Sequence, residues 1–149
     1  MRCLSLHQPY AQAIALSLKV FETRAWYTDY CGPLAIHATK KKFEHYDYPS
    51  DYYQEVCRRL KAAGCPVWAL DYGKVLCVVD VVDCVPTGTL RGRIGQAEFW
   101  GDFRDVGDDG KKRYALVLAC LRTIDPYKRP TVTGRQKFFQ VPDSIIQLS

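Results

Sequence analysis

Lys19, Glu22, Arg24 and Trp26 fall within one eight-residue stretch, Lys19-Val20-Phe21-Glu22-Thr23-Arg24-Ala25-Trp26. Read as a strand, its period of two puts Val20, Glu22, Arg24 and Trp26 on one face, with Phe21, Thr23 and Ala25 on the other. A half-buried strand normally gives one face to apolar packing, so a carboxylate and a guanidinium beside an indole is unusual. Held side by side, Glu22 and Arg24 can neutralise each other, orient a ligand or read a base edge. An ordinary ion pair on an exposed edge strand is the competing reading. Lys19 stands at the corner before the strand and is expected to be a surface charge, whose removal costs no more than about 0.5 kcal/mol.

Other residues widen the candidate set. His37, in an apolar run on the side of Ala35, can act as general acid or base, or serve as a satisfied structural histidine. With Lys19 and Glu22, which can act as a general base toward water, it completes the candidate catalytic residues. Tyr10, early on a helix, offers a ring for base stacking or for core packing. Arg135 and Gln136 follow Gly134 and carry long polar side chains suited to phosphate and base-edge contacts, and Arg129 adds a further cation. Asp80 and Asp83 have no third acidic neighbour in sequence, so hydrogen bonding is favoured over metal binding. Seven cysteines, an odd number without any two-residue spacing, read as reduced thiols. No metal site and no cofactor is expected.

These residues need a scaffold. Residues 2–6 read as a first strand, and 10–18 as a helix with Pro9 at its first position. Strands follow at 20–26 and 34–38. Pro49-Ser50-Asp51 opens a helix that runs through Ala63, with Gly64 as its cap. The β-branched run 75–85 reads as a central strand ended by Pro86. Residues 95–101 form a short helix, 101–110 a loop, 114–121 a strand and 137–141 a last short strand. Five or more short strands with two or three helices on the connections imply an α+β fold, most simply a small, partly closed barrel.

Length and composition agree with one domain spanning 1–149. The chain is 48% hydrophobic and 25% charged, as globular proteins are. No apolar stretch nears the roughly 20 residues of a membrane span, and the start lacks a secretory pattern, so a cytoplasmic protein is expected. The net charge of +5 is concentrated: between residues 104 and 137 nine Lys/Arg face four Asp, and the remainder balances. That asymmetry, interleaved with Tyr114, Tyr127, Phe138 and Phe139, suits an anionic partner such as a nucleic acid, against the plainer reading of a solvated basic face.

The order Leu4-Ser5-Leu6-x-Gln8-Pro9-Tyr10-Ala11, then Lys19-x-x-Glu22-Thr23-Arg24-x-Trp26, then Gly32-Pro33-Leu34-Ala35-Ile36-His37-Ala38 resembles the bacterial ASCH-domain proteins. Gly101-Asp102-Phe103, Arg113-Tyr114-Ala115 and Gly134-Arg135-Gln136 extend the likeness to nearly the whole chain. Eukaryotic forms share the beginning and an ending similar to Phe-Gln-Val-Pro at 139–142. The resemblance implies a PUA-like barrel with a cleft beside the Lys-x-x-Glu-x-Arg segment that receives RNA or a modified nucleoside. Within such a family Tyr10, Arg24, Trp26, Arg129, Arg135 and Gln136 are the expected binding residues, and Lys19, Glu22 and His37 the catalytic ones. Some ASCH proteins are ribonucleases; others are amidohydrolases of N4-acylated cytidine, with a pattern similar to Lys-x-x-Thr. Aligned on Lys19, this chain has Glu22 where that Thr belongs, and Thr23 falls on the opposite strand face. The expected function is therefore RNA or modified-nucleoside binding, with a hydrolase as the alternative and a protein-interaction module as the third reading.

Overall fold

The computed structural model describes residues 1–149. Runs of alternating or β-branched residues become six strands: β1 (Arg2–Leu6), β2 (Phe21–Arg24), β3 (Gly32–Ala38), β4 (Val75–Pro86), β5 (Tyr114–Thr123) and β6 (Phe138–Gln140). They form one curled sheet in the order β2-β5-β4-β3-β1-β6, a half-barrel whose two ends remain open. Only β1 and β3 are parallel; the other pairings are antiparallel. Helix α1 (Tyr10–Ala15), helix α2 (Ser50–Ala62) and several 3-10 turns, the longest at Gly95–Trp100, occupy the connections. The fold is α+β, as the sequence pattern implies.

Alternation on the strands divides the apolar residues between the two sheet faces. Leu4, Leu34, Ile36, Leu76 and Leu116 fill the inner core under α1. Cys3, Ala35, Val78, Ile124 and Phe139 pack on the opposite face. A third cluster, with Val56 and Leu60 of α2 around Trp100, Phe43 and Ala13 of α1, holds α2 to α1 and the connecting segments. All seven cysteines are free thiols. No helix is long and apolar enough to cross a membrane.

Two of the boundaries that differ from expectation move site residues. Helix α1 stops at Ala15 rather than at residue 18, because Ser17 adopts a left-handed φ of 61°. The amides of Leu18 and Lys19 then both bond to the Ala13 carbonyl, which swings Lys19 inward. Strand β2 ends at Arg24, since its partner there, Tyr114, is the first residue of β5 and no ladder continues beyond it. Trp26 therefore lies outside the strand, edge-on to Phe138 with ring centroids 5.2 Å apart. Asp80 bonds Arg122 across the strands at 2.8 Å, and Asp83 accepts the adjacent Cys84 amide. No group of three His, Cys, Asp or Glu side chains stands close enough to hold a metal ion.

Candidate functional site

Strand β2 lies at the edge of the sheet, paired with β5 alone, so one of its sides is left to the connecting segments. Period two sets Glu22 and Arg24 side by side, and the turn after α1 adds Lys19. The Lys19 ammonium donates to the Trp100 carbonyl at 2.7 Å and stands 3.2 Å from Glu22 Oε1. The other carboxylate oxygen accepts from Arg24 Nε at 2.7 Å, and Arg24 Nη2 donates to the Ser5 carbonyl at 2.8 Å. A chain of charged hydrogen bonds thus runs from the turn before Gly101, across β2, to β1. The Lys19 side chain is 2% exposed and that of Glu22 9%. Lys19 is consequently not the surface charge its corner position suggests.

Burial decides the electrostatics. For Glu22, burial pushes the carboxyl up, but the Lys19 and Arg24 cations outweigh it and hold the group below the usual carboxylate range. For Lys19, burial is the largest effect and lowers the ammonium, with Arg24 and Arg113 adding to it against the pull of Glu22. Two cations share one carboxylate, so this buried chain carries a net positive charge.

The chain forms the base of a cavity of about 540 Å³. One wall is aromatic: the Tyr10 and Tyr52 hydroxyls bond at 2.7 Å, and Tyr52 stacks on Phe99 with centroids 5.4 Å apart. Burial first, and then the bond to Tyr52, raises the Tyr10 phenol. Opposite stands Arg113, which donates to the Asp102 carbonyl at 3.0 Å and lies 3.4 Å from the Asp102 carboxylate. Thr23, on the far side of the strand from Glu22, accepts from the Asp102 amide and from Arg113 Nη2, each at 3.2 Å, and so fastens that wall to β2. Gly101 is required there, because a Cβ would come within 2.9 Å of the Phe103 ring. At the rim, His7 Nδ1 bonds Thr39 Oγ1 at 2.7 Å. Burial, followed by the charges of Lys41 and Arg24, lowers the His7 imidazole.

The sequence candidates separate here. Tyr10, Lys19, Glu22 and Arg24 line the first cavity together. His37, Arg135 and Gln136 line a second cavity of about 400 Å³, which shares Ser5 and Thr39 with the first. His37 is 1% exposed; its Nε2 meets the Val132 carbonyl and its Nδ1 the Ser5 hydroxyl, both at 2.8 Å. A carbonyl can only accept, so Nε2 carries the proton and Ser5 O–H donates to Nδ1. His37 is thus a saturated clamp between β1 and the 132–134 segment, away from the Lys19–Glu22 pair with which it was grouped. Trp26 and Arg129 line neither cavity. Arg129 is buried against Asp71 at 2.8 Å, so it is not a free phosphate ligand.

Tyr52, Phe99, Asp102 and Arg113 complete the first cavity without having been singled out. Asp102 and Arg113 stand within the short motifs at 101–103 and 113–115, which offered a signal. Tyr52 is one of ten tyrosines in the chain and sits beside Tyr53 on α2, and nothing in its spacing marks it.

The chain is 29% identical over 152 residues to activating signal cointegrator 1 of Homo sapiens, and 28% identical to the Mus musculus protein. Each alignment covers 97% of this chain and 23% of the relative, so the chain spans about a quarter of their length. Among solved structures, ASCH from Zymomonas mobilis superposes with a TM-score of 0.56 at 17% identity, covering 97% of this chain and 89% of that one. That likeness speaks to the fold. The sequence profile of the ASCH domain matches residues 4–126, a span that holds the whole Lys19–Glu22–Arg24 chain and its aromatic wall; the protein belongs to the ASCH domain family.

Proposed function

We propose that this protein binds RNA or a modified nucleoside, taking one base or modified base into the first cavity. The observation that carries the reading is the buried, net-positive Lys19–Glu22–Arg24 chain at the base of an aromatic-walled cavity. Its volume falls within the range of about 300–1,000 Å³ usual for small-ligand pockets. Tyr52 and Phe99 offer rings on which a base can stack. Arg24, partly exposed, can donate to a base carbonyl, while Glu22 accepts from an exocyclic amino group if Arg24 shifts. The excess positive charge favours electron-rich base edges and phosphate oxygens.

A hydrolytic role fits less well. An acyl-enzyme route needs a hydroxyl beside the activating amine, and Lys19 bonds instead to the Trp100 carbonyl and Glu22. The test is an NMR titration of the labelled protein with the four ribonucleosides, N4-acetylcytidine and a short RNA, with acetate release followed in parallel. Shifts centred on Lys19, Arg24, Tyr52 and Phe99, without fast acetate release, are expected. Shifts confined to other surfaces would overturn the binding reading, and rapid acetate release would put the hydrolase first.

A further inference from the structure

The second cavity says what kind of ligand the first one takes. The two share Ser5 and Thr39 as a common wall, yet their chemistry is opposite. The first offers stacking rings and cations already engaged by carboxylates. The second has Val132 as its one apolar lining residue and no Asp or Glu in its lining. It carries Lys40 and Arg135, both exposed and both without an acidic partner. Its back is rigid. Gly134 lies so close to the Ser5–His37 bond that a Cβ would meet Ser5 Oγ at 2.7 Å and His37 Cε1 at 2.9 Å. His37 meanwhile directs its one N–H at Val132, and so gives the cavity shape rather than charge.

We infer that the ligand is a phosphodiester-linked strand rather than a free nucleoside, with one base in the first cavity and the adjoining phosphate held in the second by Lys40 and Arg135. The inference rests on the reading of the first cavity as a base pocket and adds the ligand's class and path. A strand alternates stacking faces with anionic links, which is the alternation the two cavities present across Ser5 and Thr39. A nucleoside is uncharged and leaves both free cations unanswered, whereas a phosphodiester neutralises them and releases counterions.

The test compares affinities of the intact protein, by calorimetry at two salt concentrations, for the four ribonucleosides, their 3′- and 5′-monophosphates, mixed-sequence ribo- and deoxyribohexamers, and hexaglutamate. The better hexamer is expected to bind at least about tenfold tighter than the best nucleoside at low salt, an advantage that shrinks steeply as salt rises. Lys40→Ala/Arg135→Ala should collapse that advantage to about threefold or less, and Lys40→Arg/Arg135→Lys should restore most of it. Both cations are exposed, so an unchanged melting curve separates lost contacts from lost folding. Nucleoside binding without any gain from phosphate or strand overturns this inference and leaves the base pocket standing. Binding by neither nucleoside nor hexamer overturns both. A hexamer advantage that survives in the double alanine variant, or hexaglutamate binding as tight as the hexamer's, also defeats the assignment.

Discussion

The two cavities on either side of Ser5 and Thr39 use positive charge in opposite ways. In the first, Lys19 is buried and locked to Glu22 and a carbonyl, with Arg24 on the other carboxylate oxygen. In the second, Lys40 and Arg135 are exposed, neither has an acidic partner, and no Asp or Glu lines the cavity. A buried charge persists only when compensated, so the first set is part of the fold; an exposed, unpaired charge costs the fold nothing and is available to an anion. The same division runs through the basic stretch 104–137. Arg104, Arg113, Arg122 and Arg129 are tied to Asp102 and Asp108, Asp102, Asp80 and Asp71 respectively, leaving five of the nine cations without an acidic partner. The count of cations along a sequence therefore overstates the positive surface that a partner meets.

Removing the compensation inside the first cavity is the hardest blow to this contrast. Glu22→Ala leaves the Lys19 ammonium buried without a counter-charge and should cost on the order of 3–5 kcal/mol in urea denaturation. Lys19→Met/Glu22→Gln, which neutralises both partners together, should lose clearly less than Glu22→Ala alone. Equal losses would mean that the pair is not coupled. Next in size, Arg129→Ala removes a charged hydrogen bond that is mostly buried and should cost roughly 2 kcal/mol, with little effect on RNA affinity. A large affinity loss with full stability would return Arg129 to the binding residues.

Gly134→Ala sharpens the comparison from the other side. The added methyl collides with the Ser5–His37 bond, so the 132–136 segment must lift at a cost of about 1–2 kcal/mol. A crystal structure of the variant should show the second cavity altered and the first intact. An undisturbed segment would show that the close approach is easily relieved.

The smallest effect is a tilt of stability with pH. Burial lowers the His37 imidazole, outweighing the Val132 and Gly73 carbonyls that raise it. Above the ordinary imidazole range His37 is neutral in both states and its contribution is complete. As pH falls through about 6.5 the unfolded chain takes up the proton first, so stability declines until the folded imidazole titrates at its lower value. Glu22, also held low, adds a second loss below the ordinary carboxylate range. Denaturation midpoints between pH 7.5 and 5 should fall in the wild type and fall less in His37→Asn; identical slopes would remove His37 as the source.

Much of the architecture could be read without coordinates. The β-branched run that became β4, the alternation in β1 and β3, and the Gly64 stop of α2, with its φ of +96°, are local signals that packing left unchanged. The adjacency of Glu22 and Arg24 was equally local, because period two guarantees it once a strand forms. Helix α1 is shorter than its apolar spacing predicts, because that spacing continues through Leu18 while the left-handed Ser17 ends the helix earlier.

Other features were settled in three dimensions. Lys19 and Trp100 are far apart in sequence, and only the seating of the Gly95–Trp100 turn under α2 brings that carbonyl to the ammonium. The division of one expected cleft into two cavities depends on where Ser5 and Thr39 stand between them, and on the 132–134 segment clamped to His37. Which arginines remain free depends on pairings such as Asp71 with Arg129, made across long stretches of chain. Local sequence sets backbone preference and side-chain direction over a few residues. Burial, and with it the charge state and availability of each cation, belongs to the contacts that distant segments make when the chain closes on itself.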